Sequence, residues 1–163
     1  MSKHKEEKTN VMRVLEQKKI AYTPHSYPHE EGIAVDGVTV AQSMGFDPAI
    51  VFKTLVARGA SKQYYVFDVP VAENLDLKKA AKAVGEKSIE MIHQKELLPL
   101  TGYVHGGCSP VGMKKLFPTV FHETAENLET MIVSAGKIGY QVELAPHDLA
   151  ALVRAKFADI IVE

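Results

Sequence analysis

Residues 50–69 read IVFKTLVARGASKQYYVFDV, and this stretch decides the fold class. Residues 50–57 and residues 63–69 are both rich in β-branched and aromatic side chains, so each segment is predicted to be a strand. Gly59, Ala60 and Ser61 break the pattern between them, and the two strands are therefore expected to form a hairpin. Strands that follow each other directly argue against a fold of alternating strands and helices.

Helices are predicted before and after this hairpin. Asp76 is expected to cap the N-terminus of one helix and Gly85 to end it, while Thr39 is a candidate N-cap of another that ends before Gly45. Pro146 stands where the first turn of a final helix tolerates proline. The predicted helices lie within residues 10–18, 38–45, 77–84 and 148–154, with one helical turn at 94–98.

Further short strands complete the predicted fold. They cover residues 89–92, 119–122, 130–134 and 140–144. The last two are joined by a short connection that contains Gly136 and Gly139, which is typical of another hairpin. The sequence therefore predicts an α+β fold, in which a central mixed, mostly antiparallel, barrel-like sheet is flanked by helices.

The composition restricts the classes of protein to which this chain can belong. Its 163 residues include 19 basic and 20 acidic side chains, a formal net charge of -1, which offers no support for a dedicated nucleic-acid binder. No apolar run approaches the length of a membrane span, and the first residues lack the apolar core of a signal peptide. We expect a cytoplasmic protein with a charged, flexible leader at residues 1–9 and a single domain at residues 10–163.

Lys53 is the first candidate for chemistry. It lies in the middle of a predicted strand, with Val51 and Leu55 on its own face. A charged amine on an apolar face costs several kcal/mol if it stays dry, so it must reach water, a carboxylate or a substrate cavity. The alternative is a lysine that protects an edge strand from aggregation or extends to the rim of the sheet.

The segment GYVHGGCSPVG, residues 102–112, is the second candidate. Its paired glycines allow the backbone to approach a ligand closely, although a tight structural turn is the alternative. Ser109 is not expected to be a nucleophile, because Pro110 lacks the N–H that a nucleophile elbow contributes. Cys108 with His105 as its base is a weaker hypothesis than a small buried cysteine. The histidines show no metal-ligand spacing, and we predict neither a metal nor a cofactor.

Taken together, four motifs resemble one family. They are FKTL at 52–55, NLDLKKAAK at 74–82, the 102–115 segment with its Gly-Gly-x-Ser-Pro-x-Gly-x-Lys-Lys pattern, and VSAGK at 133–137. In this order and spacing they look like the YbaK family of free-standing aminoacyl-tRNA deacylases, which is related to the editing domain of bacterial prolyl-tRNA synthetases. The likeness extends from Met12 to Ile160.

The resemblance implies an enzyme that removes a mischarged amino acid from tRNA, namely cysteine from Cys-tRNA(Pro) or from Cys-tRNA(Cys). It implies that Lys53 is the active-site lysine. As a hypothesis, we assign oxyanion stabilisation to Lys53 and to the backbone N–H groups around Gly106 and Gly107. The implied substrate-binding residues are Tyr27, Thr54, Ser109, Pro110, Ser134 and Gly136. In the mechanism proposed for cysteine-specific members, the substrate's own thiol attacks its carbonyl, so that no protein nucleophile is needed.

Two alternatives to this function stay open. One is a deacylase of another misacylated tRNA, such as Ala-tRNA(Pro), that uses water as the nucleophile. The other is a module that binds tRNA or a synthetase without catalysis. Residues 28–37 lack the aromatic that the family places in the pocket wall and form a shorter segment, which leaves the amino-acid specificity open.

The expected partner is the aminoacylated acceptor end of tRNA(Pro), and prolyl-tRNA synthetase is a candidate third member of the complex. The net charge of -1 predicts weak, salt-sensitive binding of tRNA. Candidate phosphate contacts are Lys78, Lys79, Lys82, Lys114 and Lys115, with solvated helix faces as the alternative.

Overall fold

The computed structural model of the chain describes residues 8–163, and residues 1–7 of the predicted leader lie outside this part. The helices are α1 (Asn10–Gln17), α2 (Gly37–Met44), α3 (Leu77–Val84), α4 (Gln94–Thr101) and α5 (Pro146–Val153). The strands are β1 (Thr23–Ser26), β2 (Phe52–Gly59), β3 (Tyr64–Pro70), β4 (Ile89–Met91), β5 (Thr119–His122), β6 (Met131–Ser134), β7 (Tyr140–Leu144) and β8 (Ala155–Ala158). Short 3₁₀ turns lie at Pro48–Ile50 and Glu123–Asn127.

The described strands form two sheets. The smaller has the order β1-β7-β6 and is antiparallel, and the larger has the order β4-β2-β3-β5-β8. In the larger sheet β4, β2 and β3 pair antiparallel, whereas β5 and β8 add parallel strands. The sheets approach at an isolated bridge between Val51 and Ile132, but they do not close into a barrel. The predicted α+β class with a mixed, mostly antiparallel sheet is confirmed, and the barrel-like closure is absent.

The predicted hairpin is β2–β3. Its register places Lys53 opposite Val69 and Thr54 opposite Asp68. β2 begins at Phe52 rather than at residue 50, because the Asp47 carboxylate accepts the N–H of Ala49 at 2.9 Å and caps a 3₁₀ turn there.

Capping side chains set the helix boundaries. Asp76 accepts the first N–H groups of α3, and Gly85 ends that helix in the left-handed conformation with φ +76°, as predicted. The predicted N-cap Thr39 is wrong. The cap of α2 is Asp36, whose carboxylate accepts the N–H of Thr39 at 3.2 Å, so the helix begins before the predicted residue 38.

Three elements differ from the prediction. β1 was missed because Pro24 argues against a strand, yet β1 is an edge strand, where a missing N–H is tolerated. β8 was missed because α5 ends at Arg154, a non-glycine residue in the left-handed conformation with φ +58°, and the sequence lacks a glycine signal there. α4 extends the predicted single turn at 94–98 to residue 101 and contains Pro99.

The first helix packs in the main hydrophobic core together with residues of both sheets. α1 buries Val11, Met12 and Leu15 in the same apolar cluster as Val133 of β6 and Phe121 of β5. A second cluster joins α3 to the other face of the larger sheet. In residues 8–163 no helix is both long and apolar enough to span a bilayer.

Candidate functional site

A cavity of about 410 Å³ lies where the start of β2 meets residues 34–37, at the start of α2, and the 102–112 loop. This volume lies within the range of small-molecule sites, roughly 300–1,000 Å³. Its lining contains Lys53 and Thr54 from β2, Gly106 from the loop, Ser134 from β6 and Tyr27 after β1. These residues come from distant parts of the sequence, and the fold brings them to one opening.

Lys53 is half-buried at this cavity, and no hydrogen bond or ion pair within residues 8–163 holds its ammonium group. Burial lowers the pKa of Lys53 below its usual value, and the charges of Asp36 and Glu73 partly oppose that effect. Its ammonium group is therefore poorly solvated and without a close partner. Such a cation is available to an anion, or to a developing negative charge, that enters the cavity.

The other lining residues supply a shaped wall with a few polar groups. Tyr27 is 5% exposed, and its backbone N–H donates to the carbonyl of Gly139 at 3.0 Å, which fixes it beside β7. Ser134 accepts the N–H of Gly136 on its hydroxyl oxygen at 3.1 Å, so its own proton remains available for donation.

The two glycines of the loop differ in what they can do. Gly106 lines the cavity with φ +89°, and a Cβ there would lie 2.6 Å from the Cβ of Ala34 in the opposite wall. Within the described chain its N–H has no acceptor. Gly107 does not line the cavity, and its N–H donates to the carbonyl of Val104 at 3.0 Å. The Gly107 N–H therefore already has an acceptor within the loop, and its predicted oxyanion role stays a prediction.

Three other predicted substrate-binding residues do not line the cavity. Ser109 is fully buried and accepts the N–H of Val111 at 3.2 Å, so it stabilises the loop. Pro110 faces a separate hollow of about 130 Å³. Gly136, with φ +90°, lies under the ring of Tyr103, where a Cβ would come within 2.9 Å of a ring carbon. These residues shape the loops around the cavity, and their predicted contact with the substrate stays a prediction.

The sequence reasoning missed four polar residues at or near the cavity. Asp36 and Gln141 line it, as does His105, which was considered only as a base for Cys108. Asp68 lies behind the wall formed by Thr54. Asp68 had the same signal that drew attention to Lys53, a charged residue within an apolar strand. Gln141, on a short strand of ordinary polarity, carried no such signal.

Cys108 lines the cavity, but burial raises the pKa of its thiol to about 12, with a further contribution from the charge of Asp68. A neutral thiol is a poor nucleophile, which favours the interpretation of Cys108 as a buried filler. In residues 8–163 no cluster of three or more His, Cys, Asp or Glu side chains could hold a metal ion.

One of the predicted phosphate-binding lysines is already engaged. Lys79 donates to the Asp159 carboxylate and to the carbonyl of Ile161, both at 2.9 Å, and it lies 3.4 Å from Glu163. Lys114 lies near the 102–112 loop, where it donates to the carbonyl of Pro99 at 3.3 Å.

Comparisons with known proteins agree on one family. The aminoacyl-tRNA editing domain model matches residues 34–152. A protein of Enterococcus faecalis strain V583, named Cys-tRNA(Pro)/Cys-tRNA(Cys) deacylase EbsC, is 45% identical over 161 residues, which cover 98% of each chain.

Solved structures show the same fold. A structure described as a trans-editing enzyme for prolyl-tRNA synthetase is 26% identical and superposes with a TM-score of 0.79, covering 94% of this chain and 95% of the other. The hypothetical protein APE2540 superposes with a TM-score of 0.82 at 18% identity, covering 93% of this chain and 99% of the other, and it supports the fold alone.

Proposed function

Because this chain belongs to the aminoacyl-tRNA editing domain family, we propose that it removes cysteine from mischarged Cys-tRNA(Pro), and from Cys-tRNA(Cys), by cleaving the aminoacyl ester. The substrate follows from the name of the Enterococcus relative, which matches this chain over nearly its full length. The reaction takes place in the cytoplasm, where tRNA is charged and used.

The unpaired ammonium of Lys53 at the cavity is the observation that carries the chemistry. Ester cleavage passes through a tetrahedral intermediate with a negative oxygen, and donors that are already in place lower its energy. Lys53 supplies a positive charge and Gly106, which also lines the cavity, supplies a backbone N–H without an acceptor in the described chain. Neither group needs to break a hydrogen bond before it acts.

No protein nucleophile is required for a cysteinyl ester. The substrate thiol attacks its own carbonyl carbon, and the bond from that carbon to the ribose oxygen breaks. The thiol proton ends on the ribose hydroxyl of the tRNA, and cysteine leaves as a cyclic thiolactone. Cys108 does not compete as a nucleophile, because its pKa of about 12 keeps it protonated at neutral pH. Tyr27, Thr54 and Ser134 position the substrate.

The same site acts only on the aminoacylated end of the tRNA. The net charge of -1 and the engagement of Lys79 with Asp159 support weak binding of the tRNA body. Prolyl-tRNA synthetase, with the mischarged tRNA still bound, would supply the missing affinity in a ternary complex.

A panel of charged tRNAs tests the substrate. The protein is mixed with Cys-, Ser-, Ala- and Pro-tRNA(Pro) and with Cys-tRNA(Cys), and the loss of the ester is followed with and without prolyl-tRNA synthetase. Ser-tRNA(Pro) is the matched control, because serine carries an oxygen where cysteine carries the attacking sulfur. We expect rapid loss of the cysteinyl esters and little loss of the seryl ester, with a thiolactone as the first product.

Each other outcome points to a different function. Cleavage of Ser- and Ala-tRNA(Pro) at the same rate as Cys-tRNA(Pro) would show attack by water and would rule out the thiol-assisted step. Binding of charged tRNA without loss of any ester would indicate a non-catalytic module.

A further inference from the structure

Asp68 of β3 is a buried acid that the chemistry above does not use. None of its surface is exposed. Its Oδ2 accepts the hydroxyl of Thr54 at 2.9 Å, whereas its Oδ1 has no hydrogen-bond partner within the described residues. A buried carboxyl with an orphaned oxygen is rare and costly, so it requires an explanation.

Asp68 lies directly behind the cavity without lining it. Thr54, which faces it across the hairpin, lines the cavity, and so does Cys108, whose pKa responds to the charge of Asp68. Asp68 can therefore act on a ligand only through these neighbours, of which Thr54 is the one bonded to it.

Burial raises the pKa of Asp68 to about 8, and the hydrogen bond from Thr54 opposes that rise. Charged groups of the described chain do not contribute. From the 102–112 loop Cys108 interacts with Asp68, and Tyr103 interacts with Cys108; both keep their protons to about pH 12. Phe121, the neighbour on β5, is apolar, and Lys53 of β2, which is paired with Val69 rather than with Asp68, does not contribute to the pKa of Asp68. Asp68 is therefore mostly neutral at pH 7.

The protonation state of Asp68 decides how the Thr54 hydroxyl can be used. A threonine hydroxyl has one proton to donate and two lone pairs that accept. An ionised Asp68 only accepts, so Thr54 donates its proton inward and offers only lone pairs to the cavity. A neutral Asp68 can donate its own proton to the Thr54 oxygen, which frees the Thr54 proton to point into the cavity.

We propose that Asp68 is a positioning residue whose neutral form turns Thr54 into a hydrogen-bond donor toward the aminoacyl ester, and whose ionised form withdraws that donor. The proposal rests on the proposed deacylation only for the identity of the ligand. It assigns no covalent step to Asp68.

The test compares the parent protein with Asp68→Asn, whose amide keeps a donor for Thr54 at every pH and so imitates the neutral acid. Single-turnover deacylation of Cys-tRNA(Pro) is measured from pH 6.5 to 9, with spontaneous ester loss subtracted. The ratio of the two rates cancels Lys53 and the substrate amine, which titrate in both proteins. We expect a ratio near one at pH 6.5 that rises to roughly two at pH 8 and roughly ten at pH 9, following the pKa of about 8.

Two further variants separate positioning from packing. Asp68→Leu fills the space but cannot donate, so we expect a lowered rate with a ratio to Asp68→Asn that does not vary below pH 7. Thr54→Val is expected to lower the rate. In a protein that carries Thr54→Val, Asp68→Asn should no longer change the rate at any pH. A ratio of Asp68→Asn to parent that stays flat from pH 6.5 to 9 would overturn the proposal.

A measurement without substrate keeps the proposal distinct from the proposed function. Carbon-13 NMR of the free protein follows the Asp68 carboxyl and the Thr54 β-carbon during a pH titration. We expect both signals to shift together near pH 8, and the Thr54 shift to vanish in Asp68→Asn. If no charged tRNA is cleaved, the proposed function fails while this result still supports the inference. A Thr54 signal that ignores the Asp68 titration would overturn it.

Discussion

The cavity end of the β2–β3 hairpin and the corner where α3 meets the C-terminus both gather charged side chains, but they treat them differently. At the corner, which we call the C-terminal clamp (Lys79, Asp159, Ile161 and Glu163), the lysine ammonium contacts three oxygens. At the cavity, Lys53 has no such contact within residues 8–163 and Gln141 Oε1 lacks a partner, and directly behind the cavity Asp68 Oδ1 lacks one as well. Polar groups that have hydrogen-bond or ion-pair partners within the chain stabilise the fold. Polar groups that line the cavity without such a partner are available to a ligand.

Removal of the unpaired cation tests this contrast most strongly. We expect Lys53→Ala to lower the rate of Cys-tRNA(Pro) deacylation by about 10²–10³-fold, the usual effect of losing one oxyanion donor. The melting temperature should not fall, because Lys53 makes no hydrogen bond or ion pair in the described chain and its half-buried charge is unfavourable. Single-turnover kinetics and thermal unfolding measure the two effects.

Lys53→Arg is the control for charge alone. It keeps the cation but replaces a compact ammonium with a larger planar group, so we expect partial activity. An unchanged rate in Lys53→Ala would place the chemistry elsewhere in the cavity.

The buried acid should also make stability depend on pH. The pKa of Asp68 is about 8 in the folded chain and roughly 3.9 when unfolded, so the folded state keeps its proton longer. Between these values the unfolded state binds fewer protons, and the free energy of unfolding falls as pH rises. Relative to the parent, we expect Asp68→Asn to gain stability by up to about 1.4 kcal/mol per pH unit in this window.

Urea unfolding of both proteins at a series of pH values measures that difference, and other titrating groups cancel in the comparison. Below about pH 4 Asp68 no longer makes the free energy of unfolding of the parent depend on pH, because the acid is neutral in both the folded and the unfolded state. A difference that does not vary between pH 5 and 8 would mean that the acid is ionised in the folded chain.

A matched pair of glycines tests how closely the loop approaches the opposite wall. Gly85 and Gly106 both have positive φ, so alanine at either position adds strain of roughly 1–2 kcal/mol. Only at Gly106 would the new Cβ also meet a wall, since it would lie 2.6 Å from the Cβ of Ala34, whereas nothing lies within 4 Å at Gly85. We expect Gly106→Ala to lose more stability and most deacylation, and Gly85→Ala to lose stability alone.

Comparable deacylation losses in these two variants would show that the loop glycine serves the fold only. Urea unfolding gives the stability of each, and the initial rate with Cys-tRNA(Pro) gives the activity.

The predictable parts of the molecule are those with strong local signals. The hairpin followed from β-branched residues around Gly59, and α3 followed from Asp76 and Gly85. β8 was missed because its strand Ala155–Ala158 has no β-branched residue and exists through parallel pairing with β5. Such pairing between distant segments leaves little trace in a short stretch of sequence.

The same limit applies to the site. Lys53 could be found because a charge within an apolar strand is unusual, and the resemblance to a family added Tyr27, Thr54, Gly106 and Ser134, which line the cavity. The family pattern could not separate the Gly106 N–H from that of its neighbour Gly107, because only the folded loop shows which one already has an acceptor.

The C-terminal clamp is the region that we compare with the cavity, and changes to it are expected to have the smallest effect on the rate of deacylation. The hydrogen bond between Lys79 and Asp159 raises the pKa of Lys79 and lowers that of Asp159, as expected of a pair that stabilises the folded chain. We expect Lys79→Ala to leave the deacylation rate unchanged and to lower the melting temperature modestly, because partly exposed pairs contribute little.

Since the pKa of Asp159 is lowered on folding, the stability that the pair contributes is present above the unfolded pKa of Asp159 and is lost as pH falls through its folded pKa. The gap in melting temperature between Lys79→Ala and the parent should therefore close in acid, and thermal unfolding at pH 7 and pH 3 measures it. A large loss of deacylation in this variant would instead mean that Lys79 leaves the clamp to contact the tRNA. A partner within the chain would then not distinguish structural charges from functional ones.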